Sequence, residues 1–182
     1  MSRRCIMSVN YWLLVDTVRI PDAFLIVNNA FSIEQNIALF KGCDFEYLID
    51  QSPLLVNLGQ DKSALDKWKV MPYFDSSSVM FAVDASVETN TLLNHLQKLL
   101  IIQVDGKKML FRYYTNVMWE QIESEQCKVS PQDLATLLGP AKALYWTDEE
   151  QHIKSIQQEN IHFQYLPTDH YALVSACFKQ WG

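Results

Sequence analysis

Residues 77–114 read SSVMFAVDASVETNTLLNHLQKLLIIQVDGKKMLFRYY. Three patterns follow one another in this stretch, and each has its own physical signature. Residues 79–83 form an unbroken apolar run of strand length, as a strand buried on both faces requires. Leu92, Leu93, Leu96, Leu99 and Leu100 recur at helical spacing and make one wide apolar stripe. Ser86 is the expected N-cap of that helix, and Glu88 suits the positive end of its dipole. Asp105-Gly106 then separates two short runs. That dipeptide favours a type I′ turn, whose two central residues both need positive φ. Together these patterns predict an α/β (mixed α+β) fold. Its sheet is mixed, with an antiparallel hairpin over residues 101–114, from Ile101 to Tyr114, flanked by amphipathic helices.

The rest of the chain supplies further elements. Residues 11–15 are apolar and end at Asp16, as a buried strand would. Ser52-Pro53 breaks the chain before a second buried strand at residues 54–56, and residues 63–69 read as a short helix. Ser32-x-x-Gln35 has the form of a capping box, with Gly42 placed as a C-cap, which predicts a helix between them. Residues 45–49 alternate apolar and acidic, as a strand would. Asn116 is placed to cap a helix reaching about residue 126. Ser130-Pro131-Gln132-Asp133 is a strong helix start, and Gly139-Pro140 a stop. Residues 143–146 read as a strand, the Gln-rich residues 147–160 as an exposed helix, and residues 161–166 as an alternating segment. Pro167-Thr168-Asp169 then reads as the cap of a last helix running toward Trp181. Residues 1–10 are expected to be a tail, and residues 11–182 a single domain of ordinary size.

Charge and composition exclude several functions. The net charge is −6 and no basic run exceeds two residues, so the basic stripe of a nucleic-acid binder is missing. No apolar run approaches the ~20 residues a spanning helix needs. The N-terminal apolar stretch is broken by Asn10 and lacks a cleavage site, which predicts a cytoplasmic protein with no membrane insertion. Cys5, Cys43, Cys127 and Cys177 are scattered without a C-x-x-C pair, so reduced thiols are expected.

Catalytic motifs are equally scarce. The five glycines are dispersed rather than gathered into a phosphate loop, and neither G-x-S-x-G nor H-E-x-x-H occurs. His162, His170 and Cys177 match no metal-site spacing, so no metal and no cofactor are expected. His170 and Cys177 on one helix would lie ~10 Å apart, too far for direct proton transfer. His95 reads as a packed histidine. Glu149-Glu150, and Glu123 with Glu125, read as solvated faces. Two residues stand out. Asp16 ends a buried strand, where sites often form in α/β sheets. Arg112, set among aromatic residues, needs a carboxylate partner if buried, and either Asp16 or Asp84 could serve. A structural ion pair is favoured there over a partner contact.

Several segments in order carry a resemblance. They are Tyr11-Trp12-Leu13-Leu14-Val15-Asp16, Ser52-Pro53-Leu54-Leu55-Val56, the Leu92-to-Leu100 helix with His95-Leu96, Leu110-Phe111-Arg112-Tyr113-Tyr114 and Leu138-Gly139-Pro140. The ordered set resembles the adaptor or effector-chaperone family of bacterial type VI secretion systems, first catalogued as a domain of unknown function. Thr115-Asn116-Val117 departs from it, since members usually carry Asp-Pro-Arg there. The resemblance implies a protein that is not an enzyme. It implies binding to one toxin effector through its N-terminal delivery segment, and loading of that effector onto the VgrG spike protein. Arg112, Tyr113, Tyr114 and Trp119 are the expected partner contacts, through apolar anchors or strand addition. An immunity protein that blocks a toxin, and a small enzyme centred on Asp16 and Arg112, are the alternatives.

Overall fold

A computed structural model describes residues 8–123, 128–159 and 170–181. Six strands form the main sheet: β1 (Val9–Val15), β2 (Gln35–Ala38), β3 (Leu54–Asn57), β4 (Ser78–Asp84), β7 (Ala141–Thr147) and β8 (Ile153–Gln157). They lie in the order β2-β3-β1-β4-β7-β8, and every neighbouring pair is antiparallel. A second sheet joins β5 (Ile101–Val104) to β6 (Lys107–Leu110) antiparallel and to β9 (Tyr171–Leu173) parallel. The fold is therefore mixed α+β, with the expected hairpin inside a small mixed sheet.

Alternation along the central strands sorts side chains to two faces. Trp12, Phe81 and Leu144 sit in register on one face, and Leu13, Met80 and Tyr145 on the other. The first face carries the larger core. It is covered by α3 (Thr89–Lys98), α4 (Asn116–Glu123), α5 (Pro131–Leu138) and the small sheet, which contributes Ile102, Val104, Tyr171 and Leu173. The second face is covered by α1 (Ala23–Ala30) and α2 (Ala64–Trp68). Trp68 anchors α2 there by donating its indole N–H to Ser78 Oγ at 2.8 Å. A short helix, α6 (Ala176–Lys179), ends the described chain.

Local chemistry explains several elements. Asp105 (φ 48°) and Gly106 (φ 78°) adopt the left-handed conformation that the hairpin turn demands. Ser130 Oγ accepts from the Asp133 amide at 3.1 Å and caps α5. Gly139 ends α5 at φ 53°, and a Cβ there would lie 2.4 Å from the His95 ring. Glycine is thus required both by conformation and by His95, which reaches into that corner.

Other expectations are corrected. Residues 32–42 hold no helix: β2 lies there, and the helix is upstream at α1. A Ser-x-x-Gln pattern without a following apolar stripe does not sustain a helix. Residues 45–49 are not a strand; a 3-10 helix runs over Glu46–Gln51. The helix expected over residues 147–160 is absent from its described part, residues 147–159, because Asp148 accepts from the amides of Glu150 and His152 and turns the chain into β8. Ser86 does not cap α3. Its hydroxyl bonds Asp84 at 2.6 Å, and the helix starts at Thr89. Asn116 is the first residue of α4 rather than its cap, and its amide donates to Thr147 O at 3.2 Å. The strand expected to reach Tyr114 stops at Leu110. Toward Trp181 the described chain holds β9 and the four-residue α6 instead of one long helix. Residues 161–166 and the Pro167-Thr168-Asp169 cap lie outside the described residues, as do Cys5, Cys127, Glu125 and His162.

Candidate functional site

At one end of the main sheet the last residue of β1 meets the first residues of β3 and β4, since Val15 pairs with both Leu54 and Ser78. Asp16 follows directly and is 2% exposed. Its Oδ1 accepts from the Val18 amide at 3.0 Å and the Arg19 amide at 3.4 Å, which shapes the turn leaving β1. Its Oδ2 accepts from Arg112 Nη2 at 2.7 Å. Of the two acids considered from sequence, Asp16 is thus the partner of Arg112. Asp84 pairs instead with Lys142 at 3.1 Å.

The pair is asymmetric. The carboxylate is buried, whereas the Arg112 side chain is 48% exposed. The Arg112 guanidinium carbon lies 5.7 Å from the Tyr114 ring centroid. Partial burial works against the charged guanidinium, but the Tyr114 hydroxyl and Asp16 outweigh it and raise its pKa, so Arg112 is a fixed cation. Burial pushes the Tyr114 hydroxyl up as well.

The aromatic residues expected to meet a partner are placed otherwise. Tyr113 and Trp119 are fully buried, and Tyr114 is 6% exposed. Tyr113 donates to Leu96 O at 2.7 Å, and Trp119 Nε1 donates to Tyr113 O at 2.5 Å. Trp119 stacks on Trp146 with centroids 6.1 Å apart. Tyr113 and Trp119 therefore fasten the loop after β6 into the larger core, and Arg112 is the member of the set that reaches the surface. An alternating run such as Phe111-Arg112-Tyr113 contains that signal, because one side chain in such a run must face away from the other two.

Sequence reading missed the role of Asp133, whereas His95 is packed as it was read. Asp133 is fully buried on α5 and accepts from the amides of Val174 (3.1 Å) and Ser175 (2.7 Å), and from the Ser175 hydroxyl, which ties β9 and α6 to the core. His95, also fully buried, sits between Tyr171 OH (2.9 Å) and Leu137 O (3.2 Å). A carbonyl only accepts, so Nε2 carries the proton and Nδ1 accepts from the tyrosine. Burial pulls the His95 pKa down to about 4. Among the described residues, three buried polar atoms, Asn116 Oδ1, Trp146 Nε1 and Thr147 Oγ1, have no hydrogen-bond partner.

Among the described residues no three His, Cys, Asp or Glu side chains gather as metal ligands, and no helix is long and apolar enough to cross a membrane. Burial raises the pKa of the Cys43 thiol. The molecule is thus an α+β protein with an ion pair at a sheet end whose cation is half exposed and whose carboxylate is buried. The chain belongs to the family described as a domain of unknown function (DUF4123), whose model matches residues 11–129, well over half of its length. That family is linked to adaptors of type VI secretion effectors. No curated protein and no solved structure matches the chain.

Proposed function

We propose that this protein is a cytoplasmic, non-enzymatic adaptor. It binds one toxin effector of a type VI secretion system, keeps it soluble and helps load it onto the VgrG spike before export. Membership of DUF4123 across residues 11–129 carries this reading. The site's chemistry supports it. Asp16 is buried with both oxygens engaged, which suits positioning Arg112 better than exchanging protons. A cation held in place beside an exposed surface is suited to protein recognition.

The test is co-expression of the tagged protein with fragments of any large toxin encoded beside it, and with the spike protein. Capture of the N-terminal delivery segment, with the effector lost or insoluble when the adaptor is omitted, is the expected result. Capture of the toxic domain alone, with loss of toxicity, would make the protein an immunity factor. Capture of neither effector nor spike would overturn the proposal.

A further inference from the structure

Helix α1 is apolar on its outward side as well as on its inward one. It turns Ala23 and Val27 to the core, while Phe24, Leu25 and Ile26 are 47%, 60% and 38% exposed. Leu25 lies midway between the two buried positions and so on the opposite side of the helix. A surface helix ordinarily carries polar residues there. Val18, 59% exposed, adds to the apolar surface just upstream. Four large apolar side chains exposed within nine residues form the kind of patch that marks an interaction site.

The patch is joined to the ion pair by compact chain. Ile20 N donates to Asp16 O at 3.0 Å, Ala23 N to Ile20 O at 3.1 Å and Ile26 N to Asp22 O at 3.0 Å. These successive turns gather Val18, Arg19 and the start of α1 into one ledge beside Asp16. Arg112 borders the same ledge through its bond to Asp16. Arg112 has N–H groups left over once Asp16 is served, and it is half exposed. Arg19 is exposed too and donates from Nη1 to Ser76 O at 3.0 Å. Against these two cations, residues 16–30 hold one exposed carboxylate, Asp22, because Asp16 is buried and engaged.

We infer that this ledge docks an amphipathic segment of the effector, whose apolar side chains cover Val18, Phe24, Leu25 and Ile26 and whose carboxylate pairs with Arg112. The inference rests on the adaptor reading and names its surface. The charge of the ledge selects this occupant over two others. A second copy would bring the same pair of arginines to the same apolar strip, with Asp22 the one exposed carboxylate of residues 16–30 to answer them. An anionic membrane attracts clusters of several basic residues, and here there are two on a chain of net charge −6.

The experiment measures effector binding by the full-length protein as wild type and as Leu25→Asp, Arg112→Glu and, as a control, Val174→Ser, an exposed apolar position just after β9. A cooperative urea transition with a native baseline at the assay condition establishes that each variant is folded, and Arg112→Glu is expected to unfold at lower urea because it faces the buried Asp16 carboxylate. Losses of at least ~10-fold for Leu25→Asp and Arg112→Glu, with Val174→Ser unchanged, are expected. Replacing one acidic residue of the effector segment by lysine is expected to restore binding to Arg112→Glu. Wild-type capture with equal binding by both ledge variants would overturn the inference while leaving the adaptor reading standing. Failure of wild type to capture any effector would overturn both. A wild-type dimer that Leu25→Asp dissociates, or binding of wild type to phosphatidylglycerol vesicles, would overturn the assignment in favour of that other occupant.

Discussion

On one face of the main sheet Trp119 stacks on Trp146, Phe111 and Tyr113 pack beside them, and three helices with a second sheet close over the whole. On the other face α1 covers the strands with little more than Ala23 and Val27, and turns Phe24, Leu25 and Ile26 outward. The two faces divide the apolar residues by purpose. In the first, large rings are removed from water and stabilise the fold. On the second, Trp68 and Phe74 are buried too, but the outward side of α1 keeps apolar area in water, where it adds little to stability and remains open to a partner. The Asp16–Arg112 pair stands at the sheet end between them.

The largest expected effect separates the faces directly. Trp119→Ala should cost about 3–5 kcal/mol, as deletion of a fully buried ring does, while Leu25→Ala should change stability by less than ~0.5 kcal/mol. Urea unfolding of both variants measures the contrast, and equal losses would break it.

The larger core also holds a buried imidazole, which makes that face sensitive to acid. The folded pKa of His95 is depressed to about 4 from an ordinary 6.5, so the unfolded chain binds the extra proton first. Its contribution is complete above pH ~6.5, falls as pH drops and levels off below pH ~4, a loss on the order of 3 kcal/mol. Comparing the pH dependence of unfolding in wild type and His95→Gln isolates this term. A steeper acid loss in the wild type is expected.

Asp16→Ala comes next, at about 1–3 kcal/mol, because the Val18 and Arg19 amides lose their acceptor. Arg112→Ala should cost less than Asp16→Ala, since its side chain is half exposed and its attraction to Asp16 is screened by water. Reversal of that order in urea unfolding would place the pair's weight in the core rather than at the surface. Smallest of all is Thr147→Val. The Thr147 hydroxyl is buried without a partner among the described residues, so its removal should leave stability unchanged within ~0.5 kcal/mol or raise it.

Much of this fold was legible where the signal is local. The Asp105-Gly106 turn, the Ser130 cap and the leucine stripe of α3 each carry their own cause and appear where they were read. Errors fall where distant contacts decide. The polar residues 153–157 become a strand because β7 offers an open edge, and no short-range pattern announces that. Helix α1 was missed because its apolar side chains do not face the core, which is the feature that bears on function. The site was legible in part. A buried strand-end acid and a lone arginine among rings pointed to each other across the sequence. Burial of Tyr113 and Trp119 is a property of the assembled core, and a run of aromatic letters reads equally as core or as surface.

Amide hydrogen exchange, with and without the bound effector segment, tests the central claim most directly. The account predicts that slowed exchange concentrates in residues 16–30, while the core around Trp119 changes little. Slowed exchange confined to the edge strands β2 and β8, with residues 16–30 unaffected, would contradict it.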